Sequence, residues 1–541
     1  MSLEKILKDS VFDRGIIDNK TKSINLAKRF VLENEFLDKP CFIGPDGSIS
    51  YSKLAFFVKK SASALQLKKI EKNTVVILCL NDSRELVILF FSCLAIGLLP
   101  VIINPKSPIN NFYYILNEFN NSLVFIDEDN KMPIKPKEKI NLIRIKRTDD
   151  LSAFSDWMPK DSDSTWNNFL EKTESEPAFI QYTSGSTGKP KGVIHSASSI
   201  LASCENFSRN QLKIAKNDII YSTSKTFFGY GMGNTLFFPL YSGATAIIDS
   251  DWPSMIRVAD NIKQFKPTVL FSGPVIFRLL LEDDEFKKNT HLRLIISSGS
   301  MLSFSLKKAW LDKFNIVIHD AFGSTETCHA FATTYGYPPR SGSIGKLITG
   351  YSGTIADQNG KIMPVGETGV LMLSSKSLSS GYWNDFQNTR AKFSGGWYRT
   401  GDLFSQDEEG YLYYYGRDDD KFKVFGRWLV PVEIEKIVNI AFPEAGDVFI
   451  VPWLDNTCEY RPVLCLSVSF DEFAIVSKKI ANYIIQQVES YKHPYAYLNI
   501  KNFPLNSNGK IDRKLLINIA QQEINNTKIS YFQGKINYDN T

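Results

Sequence analysis

Residue types that bind phosphate are concentrated in one short loop, residues 183–192, which reads TSGSTGKPKG after an apolar, strand-like run at residues 178–180. Glycines let the backbone turn tightly and bring N–H groups against phosphate oxygens, while hydroxyls add donors and lysines add charge. The Walker pattern does not fit, because it needs a glycine where Thr183 stands. A flexible linker is the alternative, but the lysines, the proline and the preceding strand favour phosphate binding.

Five further motifs with polar and charged residues follow the loop. In chain order they are Phe322-Gly323-Ser324-Thr325-Glu326, Tyr398-Arg399-Thr400-Gly401-Asp402, Gly416-Arg417-Asp418-Asp419-Asp420-Lys421, Pro431-Val432-Glu433-Ile434-Glu435 and Asn508-Gly509-Lys510-Ile511. Together with the loop, this ordered set closely resembles the adenylate-forming superfamily of acyl-CoA synthetases, adenylation domains and luciferases. The resemblance extends over nearly the whole chain, residues 25–520.

The resemblance implies an enzyme that uses ATP and Mg²⁺, and it assigns roles to individual residues. The nucleotide-binding set is Thr183, Ser184, Gly185, Ser186, Thr187, Gly188, Lys191, Asp320, Ala321, Phe322, Asp402 and Arg417. Within it, Phe322 would face the adenine with Asp320 and Ala321 beside it, and Asp402 and Arg417 would bind the ribose hydroxyls. Thr325 would place a hydroxyl near the α-phosphate, and Glu326 would hold the Mg²⁺. Lys510 would bridge the attacking carboxylate and the α-phosphate, offsetting the charge that develops during the reaction. Asp419 corresponds to the hinge on which the small domain rotates between the two half-reactions.

Two segments, residues 224–234 and 323–331, resemble the acid pocket of benzoate-CoA ligases and related aryl-CoA ligases. The pocket residues implied are Phe228, Gly229, Tyr230, Gly231, Ser298, Gly299, His329 and Ala330. The benzoate enzymes tend to carry alanine in place of Gly229 and a larger aliphatic residue in place of Ala330. Both departures remove volume, so we expect a substituted or extended aryl acid, or a medium unsaturated chain. Core packing is the alternative role for the aromatic Phe228.

The second half-reaction requires a thiol. Gly426 matches the position where a small residue leaves room for a pantetheine arm, which coenzyme A and the phosphopantetheine of an acyl-carrier protein both present. Arg427 departs from the usual aliphatic residue and suits a nucleotide phosphate or an acidic carrier. A coenzyme A ligase is the main hypothesis, and loading of a holo acyl-carrier protein is the alternative. A non-catalytic binding protein is disfavoured, because the full set of catalytic and nucleotide-binding residues is present.

Composition excludes several other classes. The 541 residues carry a net charge of +5 that is spread along the chain, so nucleic-acid binding is not expected. Seven scattered cysteines and five histidines offer little for a zinc site and are typical of a reduced, cytoplasmic protein. The first fifteen residues are charged and lack the apolar stretch of a signal peptide. The oligomeric state stays open, with a homodimer among the options.

The elements that must position these residues are predicted from hydrophobic patterning. Apolar strands alternate with helices up to residue 300, which indicates parallel βαβ units. Residues 86–103 are long enough to span a membrane, but Gly97 and Pro100 divide the run into a buried helix and a strand. Short strands from residue 353 suggest a β-barrel-like part. The predicted fold is therefore α/β, with a large domain (1–417), a smaller mobile α+β domain (418–527) and a tail (528–541).

Overall fold

The structure is a computed structural model. It describes residues 23–119, 123–131, 141–184, 189–283, 286–300, 302–505 and 511–526. Contacts divide the chain into two compact units. The first comprises residues 1–301, 310–354 and 372–399, and the second comprises residues 302–309, 355–371 and 400–541. The predicted domain boundary between residues 417 and 418 stays a prediction.

A four-stranded parallel sheet forms the first βαβ region of unit 1, as the sequence predicts. Its strands, in spatial order, are Leu99–Ile102, Val75–Cys79, Leu123–Asp127 and Asn141–Ile145. The helices Arg84–Ala95 and Ile109–Asn117 connect them. The first of these helices begins where the Ser83 hydroxyl accepts a hydrogen bond from the Leu86 N–H. The central strands are buried on both faces, which is why their sequences are apolar throughout.

The apolar run at residues 86–103 is a buried helix, a turn at Gly97 with φ of 76°, and a strand. The strand includes Pro100, although the sequence predicts that it starts after the proline. Pro100 is tolerated because this strand lies at the edge of its sheet, where a missing N–H breaks no central ladder. Among the described residues, no helix combines the length and the apolar character needed to cross a bilayer.

A nine-stranded sheet forms the centre of unit 1. In spatial order its strands are Lys346–Leu347, Ala330–Thr333, His319–Gly323, Leu294–Ser297, Val269–Ser272, Ile219–Ser222, Thr245–Ile247, Pro40–Ile43 and Ile49–Ser50. The six strands from His319–Gly323 to Pro40–Ile43 are parallel, and the outer strands are antiparallel. Parallel strands bring their carboxyl ends to one edge of the sheet, where ligands bind in open α/β folds.

A three-stranded antiparallel sheet, with strands Gly381–Tyr382, Pro190–Ser196 and Pro177–Ser184, completes the sheets that position the predicted site in unit 1. The helices of this part of the chain are Leu26–Phe30, Tyr51–Leu67, Ala197–Ser203, Gly229–Met232, Phe238–Ser242, Met255–Phe265, Pro274–Leu280, Phe286–Asn289, Phe304–Phe314 and Phe386–Lys392. Two π-helical segments, Cys204–Gln211 and Gly233–Phe237, extend neighbouring helices. Short strands also occur at Ser352–Ala356, Gly369–Ser374 and Phe393–Ser394.

Unit 2 contains the small α+β domain that the sequence predicts. Its sheet consists of Val448–Leu454, Tyr460–Leu466 and Ala496–Asn499, and its helices are Pro431–Ala441, Phe470–Gln487 and Arg513–Asn526. Alternate strand residues face opposite sides: Ile450 packs with the first two helices, and Val451 packs with the third. Two hairpins precede this sheet, Trp397–Gln406 with Leu412–Arg417 and Phe422–Val424 with Arg427–Leu429.

Candidate active site

The predicted phosphate loop joins two antiparallel strands, Pro177–Ser184 and Pro190–Ser196, in which Thr183 lies directly opposite Lys191. The pairing holds the two ends of the loop next to each other. Gly185, Ser186, Thr187 and Gly188, which are predicted to bind phosphate, lie outside the described residues, as does the side chain of Ser184. Lys510 also lies outside them, in the segment between the bridged residues Leu505 and Ile511.

Lys191 and Glu326 meet at a tyrosine that the sequence motifs do not single out. The Tyr382 hydroxyl donates a hydrogen bond of 2.8 Å to Oε1 of Glu326. The Lys191 ammonium lies 5.6 Å from the centre of the same ring. The Ser379 N–H donates to the Glu326 carbonyl at 2.8 Å, which fixes the backbone of the glutamate. A cation and a carboxylate, 135 positions apart in the sequence, therefore share one aromatic residue.

A tight turn fixes the positions of Thr325 and Glu326 relative to His329. A 3₁₀ turn covers Thr325–Thr327, and the Cys328 N–H donates to the Thr325 carbonyl at 3.0 Å. The Thr327 hydroxyl donates to the His329 carbonyl at 2.7 Å. Cys328 adopts a φ of 65°, which is uncommon for a residue other than glycine and costs backbone energy. The turn therefore maintains a strained geometry next to the predicted catalytic residues.

The predicted adenine-binding residues Asp320, Ala321 and Phe322 lie on the strand His319–Gly323. Phe322 is half-buried and packs edge-on against Phe331, with ring centres 5.5 Å apart. Ser298 and Gly299, predicted for the acid pocket, directly follow the neighbouring strand Leu294–Ser297. These two strands pair in parallel, with Ser297 opposite Asp320, so both sets lie at the carboxyl edge of the sheet.

The predicted acid-pocket segment 228–231 lies at the start of the short helix Gly229–Met232. Gly231 approaches the backbone so closely that a Cβ would lie 2.0 Å from the Lys225 carbonyl oxygen. Asp82 anchors the preceding loop: its Oδ1 accepts a hydrogen bond of 2.6 Å from the Thr226 hydroxyl, and its carboxylate accepts another from the Thr226 N–H. Burial raises the pKa of the Asp82 carboxyl, partly offset by the nearby Lys225 ammonium.

His329 lies against Tyr230, with stacked rings whose centres are 5.1 Å apart and whose planes are inclined by 29°. Its Nε2 is 3.1 Å from Oδ1 of Asn234 and 3.3 Å from the Tyr230 carbonyl. Both partners accept hydrogen bonds, so the proton of the neutral ring resides on Nε2. Desolvation lowers the pKa of His329 to about 3, despite the hydrogen bond to Tyr230. This side of the predicted pocket is therefore aromatic and uncharged.

Asn234 belongs to the π-helical segment Gly233–Phe237, a helix distortion that often occurs at functional sites. A Cβ on Gly233 would lie 2.5 Å from Cδ2 of His329, so the glycine makes room for the imidazole. Ala330 is buried next to His329, and it pairs with Gly323 across two antiparallel strands. Gly323 has the same requirement, since a Cβ there would be 2.2 Å from the His329 carbonyl oxygen.

In unit 2, Asp402 and Arg417 lie directly opposite each other on the Trp397–Gln406 hairpin. Nε of Arg417 is 3.5 Å from Oδ1 of Asp402 and its Nη2 is 3.7 Å from Oδ2 of the predicted hinge residue, Asp419. Asp402 and Arg417, both predicted to bind the nucleotide, are thus paired. The Arg417 guanidinium also contacts Asp419, the residue predicted to be the hinge.

Gly426, the predicted pantetheine residue, lies in the turn of the hairpin Phe422–Val424 and Arg427–Leu429. Its φ is 76° and that of the preceding Phe425 is 50°, so the turn itself requires a glycine. Trp428 on this hairpin has the Lys421 and Lys423 ammonium groups 4.7 and 5.0 Å from its ring centre. The Arg427 guanidinium lies 5.1 Å from the Tyr491 ring. The hairpin therefore presents cations together with aromatic rings.

Comparison with known proteins identifies the family. The family model described as AMP-binding enzyme matches residues 31–383. Anthranilate–CoA ligase of Pseudomonas aeruginosa is 36% identical over 465 residues, which cover 85% of this chain and 90% of that enzyme. 4-Hydroxybenzoate–CoA/benzoate–CoA ligase of Rhodopseudomonas palustris is 29% identical, over 88% of this chain and 90% of that enzyme.

Solved structures agree with these relatives. The anthranilate CoA ligase AuaEII in complex with anthranoyl-AMP superimposes with a TM-score of 0.82 at 25% identity, over 93% of this chain and 98% of that one. A benzoate CoA ligase from Burkholderia xenovorans LB400 superimposes with a TM-score of 0.81 at 25% identity, over 91% of this chain and 100% of that one. The predicted fold class is therefore confirmed.

The family model and these relatives identify an adenylate-forming enzyme, as the motifs predict. The chain belongs to the AMP-binding enzyme family. It is an acid–thiol ligase, which activates a carboxylic acid with ATP, releases pyrophosphate, and transfers the acyl group to a thiol with release of AMP. The roles assigned to its individual residues stay predictions.

Replacing Tyr382 with phenylalanine tests the link between the phosphate loop and Glu326. The variant keeps the ring under Lys191 and removes only the hydroxyl that donates to the glutamate. A hydrogen bond to a charged group is worth about 1.5–3 kcal/mol, so we expect a rate of ATP–pyrophosphate exchange at least about tenfold lower. The matched control is Tyr460→Phe at an exposed position, which should not alter the rate. An unchanged rate in Tyr382→Phe would contradict the role of the hydroxyl.

Measuring the pKa values of the histidines tests whether the imidazole of His329 in the predicted pocket wall is uncharged. Burial lowers the pKa of His195 to about 4 and that of His329 to about 3. In NMR spectra of labelled histidine, two of the five imidazoles should stay neutral from pH 8 down to pH 5, with assignments from His195→Gln and His329→Gln. Because the unfolded chain binds these protons at an ordinary pKa, stability should fall as pH drops below that value. Titration of all five with midpoints near 6.5 would refute the burial argument.

Proposed function

We propose that this enzyme activates an aromatic acid of the benzoate class, with room for a ring substituent, and that coenzyme A is the thiol acceptor. The observation that carries the proposal is the stacked pair of Tyr230 and His329, both of which are predicted to line the acid pocket. An aromatic ring packs favourably against such rings, whereas a second charged group of the acid would be desolvated against these two uncharged rings. The named relatives, ligases of anthranilate and of benzoates, support the same class of substrate.

The pocket at Gly229 supports an acid larger than benzoate. A Cβ at this position would lie 3.3 Å from Oε1 of Gln181, so the alanine that the benzoate enzymes tend to carry would fit only if the Gln181 side chain moved by a few tenths of an ångström. The glycine therefore leaves a volume close to that of one methyl group beside Gln181. Ala330 removes further volume beside His329. Both changes favour a substituted ring over plain benzoate.

The chain's own residues divide the chemistry of the first half-reaction. Thr183 and Lys191 hold the ATP phosphates at the ends of the loop, and the hydroxyl of Thr325 contacts the α-phosphate. Glu326 would hold Mg²⁺, and one carboxylate would suffice because Mg²⁺ in such sites takes its other ligands from phosphates and water. When bound there, the ion would supply positive charge that offsets the charge of the phosphates. Lys510 holds the acid carboxylate against the α-phosphate as pyrophosphate leaves.

Coenzyme A is favoured over a carrier protein by the relatives and by the hairpin around Gly426. The named relatives with the higher identities are coenzyme A ligases. Lys421, Lys423 and Trp428 supply cations and an aromatic face, the groups that bind a phosphorylated nucleotide. A p-hydroxybenzoic acid–AMP ligase of Mycobacterium marinum is 26% identical, so loading of an acyl-carrier protein is the second candidate.

A substrate panel tests both parts of the proposal. ATP–pyrophosphate exchange is measured with benzoate, its amino, hydroxy and chloro derivatives, and straight-chain acids of similar size. Product formation is then measured with coenzyme A and, separately, with a holo acyl-carrier protein. We expect an aromatic acid to give the highest kcat/KM and coenzyme A to accept it. A preference for a straight-chain acid, or for the carrier, would overturn the corresponding part.

Lys510→Ala separates the two half-reactions. We expect adenylate formation to fall by about a hundredfold to a thousandfold, the scale seen when a donor to developing charge is removed, because the positive charge at the α-phosphate is lost. Thioester formation from a supplied aryl-adenylate should be retained, since that step does not need this charge. Lys501→Ala, at an exposed position, is the control and should retain both activities. Pyrophosphate exchange at the wild-type rate in Lys510→Ala would refute the assignment.

A further inference from the structure

Gln181 is a buried amide that the known motifs leave without a role. It lies on the strand Pro177–Ser184, two residues before Thr183, and its side chain is only 2% exposed. Within the part of the chain that the structure describes, its Nε2 has no hydrogen-bond partner. A buried amide without a partner costs free energy, so such a group normally indicates a missing ligand or water.

The Gln181 amide borders the space that Gly229 leaves open. The position of a Cβ on Gly229 would be 3.3 Å from Oε1 of Gln181. The next nearest atoms are the carbonyl oxygen of Cys328 and the Cα of Thr325, both at 3.8 Å. Two of these three atoms are oxygens that accept hydrogen bonds. The space is therefore better suited to a group that donates hydrogen bonds than to a methyl group.

Thr325 fixes which end of the acid this space faces. Thr325 is the residue predicted to contact the α-phosphate, and the acid carboxylate must lie next to that phosphate for adenylation. Ring positions close to the carboxylate are consequently the ones that reach the space at Gly229. The strained φ of 65° at Cys328 belongs to the same turn, which aims its carbonyl oxygen at this space.

We propose that Gln181 is a specificity-determining residue, which together with the Cys328 carbonyl recognises an amino or hydroxyl group next to the carboxylate of the aromatic acid. The substituent donates to Oε1 of Gln181 or to the Cys328 carbonyl oxygen, and Nε2 of Gln181 donates to an oxygen of the carboxyl group. Both ends of the amide are then satisfied, which a ring without a donor cannot achieve. This inference rests on the proposed function, because it needs an aromatic acid in the pocket.

Discrimination of this kind is strong when a buried site is built to form the hydrogen bond. An acid without the donor leaves the amide and the carbonyl unpaired, and the penalty appears in kcat/KM. Gln181→Leu keeps a side chain of similar size and removes both polar atoms. Gly229→Ala keeps the amide and fills the space with a methyl group. The two variants act on opposite sides of the same contact, so they should shift specificity in the same direction.

The test compares kcat/KM for 2-aminobenzoate, 2-hydroxybenzoate and benzoate in the full-length enzyme, with ATP–pyrophosphate exchange as the readout. In both variants we expect the ratio of the better ortho-substituted acid to benzoate to fall at least about tenfold, the effect of one hydrogen bond of about 1.4 kcal/mol. Ile180→Val is the matched control. Ile180 is buried on the same strand within a different apolar cluster, so its truncation perturbs the strand without touching the amide.

Each outcome distinguishes the inference from the proposed function. A ratio that is unchanged in Gln181→Leu, including the case in which all acids lose activity equally, overturns the inference and indicates a structural or general role. A wild-type enzyme that prefers benzoate to every ortho-substituted acid also overturns it and leaves the aromatic class intact. A wild-type enzyme that activates no aromatic acid refutes both. An equal shift of the ratio in Ile180→Val would show that the strand, and not the amide, sets specificity.

Discussion

The predicted acid pocket depends on the contacts of one uncharged side chain, the imidazole of His329. Its ring lies 5.1 Å from that of Tyr230, and its Nε2 donates toward Asn234 in the π-helical segment. Its backbone ends the turn that contains Thr325 and Glu326. Burial strongly disfavours a charge on this ring, so the buried position of the imidazole requires its neutral form. One residue thus joins the wall of the acid pocket to the residues predicted to act on the phosphates.

Glycines on both sides of this imidazole show how closely the backbone segments approach. Gly233 leaves room for the ring, and Gly323 leaves room for its carbonyl oxygen. Gly229 differs, because a Cβ there would lie 3.3 Å from the end of the Gln181 side chain and 3.8 Å from the nearest backbone atoms. The first two glycines have no room for a Cβ, whereas Gly229 could accept one after a small shift of Gln181. Specificity can therefore change at one position while the catalytic turn is preserved.

The sequence predicts the sheets well because their strands are apolar throughout, and a parallel sheet covered on both faces requires this. It misses residues whose role comes from contacts between distant segments. Asp82 belongs to none of the sequence motifs, yet its carboxylate holds the loop at Thr226. Tyr382 contacts Glu326 from a strand more than fifty positions away. In the sequence, Gln181 is simply one polar residue in a strand. The structure shows that it is buried and that its Nε2 has no hydrogen-bond partner among the described residues.

We expect an aromatic acyl group to lie between the Tyr230–His329 pair and the Thr325–Glu326 turn. Its carboxyl carbon then faces the α-phosphate. A crystal structure with a non-hydrolysable adenylate, such as 2-aminobenzoyl-sulfamoyl adenosine, tests this directly. We expect the aryl ring to lie against Tyr230 and His329 and the sulfamoyl group to lie beside Thr325. The amino group should be within 3.5 Å of Gln181 or the Cys328 carbonyl oxygen. An aryl ring bound elsewhere, with the space at Gly229 empty, would contradict it.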